Sequence, residues 1–280
     1  MIHILKNDDL CSISKKLTIM TKKPVIEFEN TDIQLTVDGH LAIIKILSKN
    51  PWRNLFTDLS KTEEINHLYD RIEKDPEIKG LLFLNEPDCY DETAYLNFLA
   101  EISGKDIDSD KFRKISDFEH EIDRMREILV TQQFISRMAK FKKLTFYGSL
   151  GNVSTPFLGA GLSNDFRFAS EGATFTFPHI KYGLHPTGAL AFWLPHYLNK
   201  GISDEILFVG NDLSAEEALG LRLIHKVFPK EGFHGRCIRE AKNISDMNQS
   251  AVRLTKELRY DYEKDLNEYF ESERKLVGIL

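Results

Sequence analysis

The residues able to do chemistry concentrate between Lys143 and Pro229. An apolar run, Leu144–Tyr147, enters a turn at Gly148–Gly151, and Ser154, Thr155 and Pro156 follow. A hydroxyl and then a proline is the pattern of a helix start. A strand that delivers its loop onto a buried helix start aims backbone N–H groups at one point, where a developing negative charge can be held. The same turn also serves as plain packing in many α/β proteins. Three imidazoles lie further on, His179, His185 and His196. An imidazole exchanges a proton near neutral pH, which makes His179 a candidate acid or base; its competing role is a histidine hydrogen-bonded inside a loop. No carboxylate or cysteine completes a metal-ligand spacing with these histidines, so no metal is expected.

The elements that must position these groups alternate between strand and helix. Gly159, Ala160 and Gly161 let the helix after Pro156 pack closely, Asp165 ends it, and Phe166–Ala169 reads as a short strand. Upstream, Ile33–Val37 and Leu41–Leu47 alternate apolar and polar residues around Asp38–Gly39, a hairpin signal. Thr57–Lys74 has helical periodicity, Gly80–Leu84 is a continuous apolar run suited to a strand buried on both faces, and Phe118–Lys140 is a long amphipathic helix. Helices are predicted over Ala189–Leu198, Gly201–Gly210 and residues 214–222, and the chain beyond Phe233 is helical.

Taken in order, these motifs resemble the crotonase (enoyl-CoA hydratase/isomerase) superfamily. Lys143–Gly151 lies over the family's strand and Gly-rich turn, Asp165–Ser170 over its C-D-x-R-x-A-S motif, and Phe175, Pro178, Gly183 and Pro186 over F-x-x-P-E-x-x-x-G-x-x-P. Leu213–Ala218 through Pro229 is similar to I-S-A-E-E-A…V-V-P. The resemblance implies an α/β fold, the ClpP-like crotonase spiral of ββα units with a helical C-terminal oligomerisation region. It divides the chain into an extension (1–30), a core (31–205) and a helical region (206–280). It also implies a homotrimer or hexamer, for which Leu254, Leu258, Leu266, Tyr269 and Phe270 supply apolar surface without distinguishing core from interface.

The resemblance further implies an acyl-CoA or acyl-carrier thioester as substrate, with coenzyme A entering as part of it and no other cofactor. One oxyanion N–H is implied at Thr155 and the other in the loop after Gly80–Leu84, near Asp91–Thr93, with Glu92 and Thr93 as donors. Tyr90 and Asp91 are pocket residues there, and the polar groups of Tyr90, Asp91 and Glu92 either face the reacting carbon or cap the next helix. Pro156 has no N–H and Phe157 sets bulk in the glycine run. The two hydratase glutamates fall on Gly159 and His179. Hydration is therefore disfavoured, and isomerisation or decarboxylation with His179 as acid or base is expected. The alternative is an inactive homologue with a scaffold or regulatory role. A pocket open to a pantetheine arm favours the enzyme, and one plugged by Phe157 favours the alternative. Arg167, Lys181, Lys256 and Lys264 are remote candidates for a phosphate.

Composition sets the outer bounds. A net charge of −6 offers no basic footprint for nucleic acid. No apolar stretch approaches the roughly 18 residues of a membrane span, so no membrane partner is expected. Cys11, Cys89 and Cys237 show no pairing pattern, which points to a reducing, cytoplasmic setting.

Overall fold

The computed structural model describes residues 27–106, 118–259 and 262–276. The expected extension lies mostly outside these residues, as does most of the charged stretch 103–116.

A seven-stranded sheet runs β1-β2-β3-β4-β5-β7-β10. Its first strands, β1 (Phe28–Glu29), β2 (Ile33–Asp38) and β3 (Leu41–Ile46), are antiparallel, turning at Asp38–Gly39. From β3 onward, β4 (Gly80–Asn85), β5 (Leu144–Ser149), β7 (Phe166–Ser170) and β10 (Lys226–Phe228) are parallel. A second sheet holds β6 (Val153–Ser154), β8 (Thr174–Thr176) and β9 (Leu213–Ser214). After β5 the chain passes back and forth between the two sheets, with β8 and β9 consecutive in the second.

The central strands β3 and β4 are largely apolar because both faces are covered. Ala42, Ile44, Leu81 and Phe83 face one core, and Leu41, Ile43, Leu82 and Leu84 face the other. The first core is roofed by helices α1 (Pro51–Asn54), α2 (Leu59–Lys74), α3 (Glu92–Ser103), α4 (Glu121–Lys140), α5 (Thr155–Leu162) and α6 (Leu190–Tyr197). The second is closed by α9 (Phe233–Ser245) through Phe233, Cys237 and Ala241. Between them run α7 (Lys200–Phe208) and α8 (Ala215–Gly220), the latter opened by a reciprocal Ser214–Glu217 capping box.

Three expectations change in detail. The 206–280 region is not a helical appendage, because its strand β10 completes the main sheet beside β7. Its end is two helices, α10 (Gln249–Leu258) and α11 (Glu263–Leu276). Among the apolar residues assigned to burial there, Leu266 and Phe270 are core, whereas Leu254 and Leu258 are 50% and 88% exposed. Asp165, at the head of β7, holds α10 in place. Its carboxylate accepts from Lys256 at 2.6 Å, Arg259 at 2.7 Å and the Thr145 amide at 2.9 Å.

Candidate functional site

Two loops meet where the strand ends of β4 and β5 would present a ligand. Asn85, the last residue of β4, is fully buried and clamps them: its side-chain amide donates to the Leu150 carbonyl at 3.0 Å and accepts from the Leu150 N–H at 2.9 Å. The loop then runs to Tyr90 and α3. Asp91 caps that helix by accepting from the Ala94 N–H at 2.7 Å. Of the two roles open to Asp91, the structure thus gives the cap, and its carboxylate is not a pocket wall. Glu92 and Thr93 supply first-turn N–H groups that no intrahelical carbonyl can reach.

On the other side, Ser154 stands before α5 in extended conformation, φ −88° and ψ 164°. Its N–H donates to the Tyr90 carbonyl at 2.7 Å. Pro156, the second residue of α5, has no N–H to offer, which leaves Thr155 as the first-turn donor before it. The predicted hydroxyl cap is also absent, since Ser154 makes no side-chain capping bond.

His179 is 2% exposed, with both ring nitrogens engaged. Nε2 lies 3.0 Å from the Leu207 carbonyl, which only accepts, so Nε2 carries the proton. Burial lowers the pKa and favours the neutral ring, whose Nδ1 lies 3.3 Å from the Thr155 hydroxyl, a group that also lies 3.3 Å from the Thr176 carbonyl. The ring pins the start of α5 to the end of α7. His185 is likewise held neutral, with a pKa near 4 set first by burial and then by the nearby Arg124 guanidinium.

Gly159 does not line a pocket. A Cβ there would lie 1.9 Å from the Gly188 carbonyl oxygen, and Gly188 itself needs φ +71°. Helix α5 and the 184–189 loop touch backbone to backbone, which leaves no room for any side chain at 159. Phe157, 2% exposed, packs on Tyr90 with ring centroids 3.8 Å apart and on Trp52 at 4.4 Å. The candidate phosphate ligands are engaged elsewhere. Arg167 is buried and donates to the carbonyls of Leu223 and Asn164, and Lys256 is held by Asp165. Lys181 and Lys264 are solvent-facing, 3.8 Å and 3.9 Å from Asp212 and Glu268. Among the described residues no cluster of His, Cys, Asp or Glu could hold a metal ion, and no helix is long and apolar enough to cross a membrane.

Sequence reasoning missed Asn85 and Gly188. The first leaves a faint signal, an amide ending a buried apolar run; the second leaves none, because its partner is 29 positions away.

The enoyl-CoA hydratase/isomerase family model matches residues 158–279. A crystal structure of an enoyl-CoA hydratase/isomerase from Cupriavidus metallidurans CH34 superposes with a TM-score of 0.64 at 18% identity, covering 88% of this chain and 89% of that one. The chain has the fold of that structure, and its residues 158–279 resemble the enoyl-CoA hydratase/isomerase family. It is also similar to the mitochondrial enoyl-CoA hydratase domain-containing protein 3 of Mus musculus, 37% identical over 97 residues, 34% of this chain and 31% of that protein. It is similar to enoyl-CoA delta isomerase 2 of Rattus norvegicus, 26% identical over 140 residues, 49% of this chain and 35% of that protein. The matched segments thus span about a third of the length of these curated relatives.

Proposed function

We propose that this crotonase homologue is a non-catalytic member of its superfamily that serves as a scaffold or regulatory subunit, with the enzyme's pocket closed. The observation that carries this reading is the Ser154 N–H bonded to the Tyr90 carbonyl at 2.7 Å. It ties together the two loops between which a thioester carbonyl would lie. Stabilisation of an enolate needs donors aimed at the oxygen's position before reaction. The Phe157–Tyr90 contact, the occupied nitrogens of His179 and the sealed backbone at Gly159 support the same reading. The oligomer that such a role calls for would use α10, whose Leu254 and Leu258 face solvent.

A second reading keeps an acyl-CoA or acyl-carrier thioester enzyme, isomerising or decarboxylating without hydration. It is favoured by the first-turn N–H groups of Glu92 and Thr93, which remain available as donors. Calorimetric titration of the folded chain with acetoacetyl-CoA separates the two. No binding is expected. Micromolar binding that is lost in Phe157→Trp, with turnover of an enoyl- or malonyl-type thioester, would overturn the non-catalytic reading.

A further inference from the structure

Helix α11 buries one stripe against α4, made of Leu266, Phe270 and Glu273 at i, i+4 and i+7. The third place of an apolar stripe is thus taken by a carboxyl group that is 3% exposed. Gln132 of α4 donates to it at 2.6 Å, and the Tyr269 hydroxyl, one turn back on α11, lies 3.4 Å from its other oxygen. A second carboxyl, Glu127 of α4, is fully buried nearby and raises the cost of ionising the first.

The charges around this pair do not balance. The buried cation beside it is Arg124, whose Nη1 is committed to Glu127 at 2.5 Å and to the Tyr95 hydroxyl of α3 at 3.1 Å. His185, close enough to feel the Arg124 charge, stays neutral, chiefly through burial. Arg274 of α11 is turned to other partners: it pairs with Glu271 and donates to the Gln132 side-chain oxygen at 2.9 Å. Two buried carboxyl groups therefore share one guanidinium, and the one that lacks it is held as the neutral acid.

We propose that Glu273 is a proton-operated latch for α11. Protonated, its side chain stays seated between Gln132 and Tyr269; ionised, it leaves α4 and carries the helix with it, uncovering the α4 face beneath Leu266 and Phe270. Water reaches the latch through a groove of ≈ 620 Å³ between α2, α4 and α11, which Gln132, Phe270 and Arg274 line. Because α11 rests on three buried side chains, it can leave while the main sheet stays folded. Burial pushes the seated carboxyl up to about 7, against the ordinary 4.5 that it regains in water. Release is therefore least favoured below 4.5 and gains about tenfold per pH unit until 7, on the order of 50-fold between pH 5 and pH 8. The latch acts whether or not a thioester binds beside Thr155.

Amide hydrogen exchange of the full chain, read by NMR at pH 5 and pH 8 and corrected for the intrinsic rate, tests this. The opening constant of the Glu268–Arg274 amides is expected to rise on the order of 50-fold. At pH 8 it should exceed that of the β3 and β4 amides by at least about tenfold, since those open only with the whole fold. In Glu273→Gln, which keeps the shape and cannot ionise, the rise should vanish, and this also removes the histidines as its source. No rise in the parent, α11 and sheet amides opening together at pH 8, or an equal rise in Glu273→Gln overturns the latch. The first two outcomes are read on the parent alone, so the test stands even where the variant does not fold.

Discussion

The Ser154 amide and the Tyr90 carbonyl, 64 residues apart in sequence, are joined by a 2.7 Å hydrogen bond. That bond ties the loop after β4 to the start of α5.

Replacing the proline tests that helix start. Pro156→Gly restores an N–H in the first turn of α5. Combined with Phe157→Ala to clear the rings, it should create acetoacetyl-CoA affinity that Phe157→Ala alone lacks. The gain expected from one hydrogen bond to a charged oxygen is roughly tenfold or more in Kd. Calorimetry on the two variants measures it, and equal affinities would show that residue 156 does not face the ligand.

Phe157 also stabilises the fold. It is buried against Trp52, Phe56 and Tyr90, with centroids at 4.4, 5.3 and 3.8 Å. Phe157→Ala should lower unfolding free energy by about 3–5 kcal/mol, as large aromatic truncations in cores do. Urea denaturation monitored by circular dichroism gives the value.

Installing a carboxylate at 159 should not produce a hydratase. With Gly188 O only 1.9 Å from where its Cβ would sit, Gly159→Glu forces α5 away from the 184–189 loop. A loss of about 1–3 kcal/mol or more is expected from overpacking, with a buried charge in addition. A lower Tm and no hydration of crotonyl-CoA are the expected outcomes; a stable variant that hydrates would show that the loop yields.

Asp165 is predicted to matter for stability alone. Burial works to raise its pKa, but Lys256 and Arg259 outweigh that and hold it below the usual carboxylate range. Its contribution is therefore present above the unfolded pKa and is lost as pH falls through the folded value. Asp165→Asn leaves Lys256 without its counter-charge and should cost about 3–5 kcal/mol at pH 7. The difference from the parent should narrow on acidification, which denaturation curves between pH 7 and pH 3 would reveal.

Glu273 behaves in the opposite sense. Burial, aided by the charge of Glu127, pushes its carboxyl up to about 7 although Gln132 donates to it at 2.6 Å. Between its ordinary value of 4.5 and 7 the folded chain holds a proton that the unfolded chain has released. Stability from this group thus declines as pH rises through that window and stays low above it. Glu273→Gln should be more stable than the parent at pH 8, by up to about 3 kcal/mol, with the gain vanishing near pH 4.5. Thermal unfolding across that range checks both sign and window.

Most of the main sheet was legible because its signals are local. Gly80–Leu84 reads as a strand buried on both faces since every residue is apolar, and the Asp38–Gly39 turn announces its own hairpin. The second sheet was not, because strands of two or three residues leave no period to detect. At the site, the bulk of Phe157 in a glycine run is visible in the sequence, and in the fold it packs on Tyr90 and Trp52. The chemistry proposed for His179 rested on its neighbours in sequence, whereas its state is set by Leu207, 28 positions away. Leu254 and Leu258 share the apolar character of Leu266 and Phe270, so only packing could sort surface from core.

Strand β10 reaches the main sheet from residue 226, pairing Lys226 with Phe168 across 58 positions. During synthesis β7 therefore emerges well before its neighbour and waits as an open edge, its free N–H and C=O groups able to template pairing with another chain. A chain ending before residue 226 would keep that edge permanently. Truncations there should aggregate during expression even though the Asp91 cap, the Phe157 rings and the Ser154–Tyr90 bond all lie upstream of the cut.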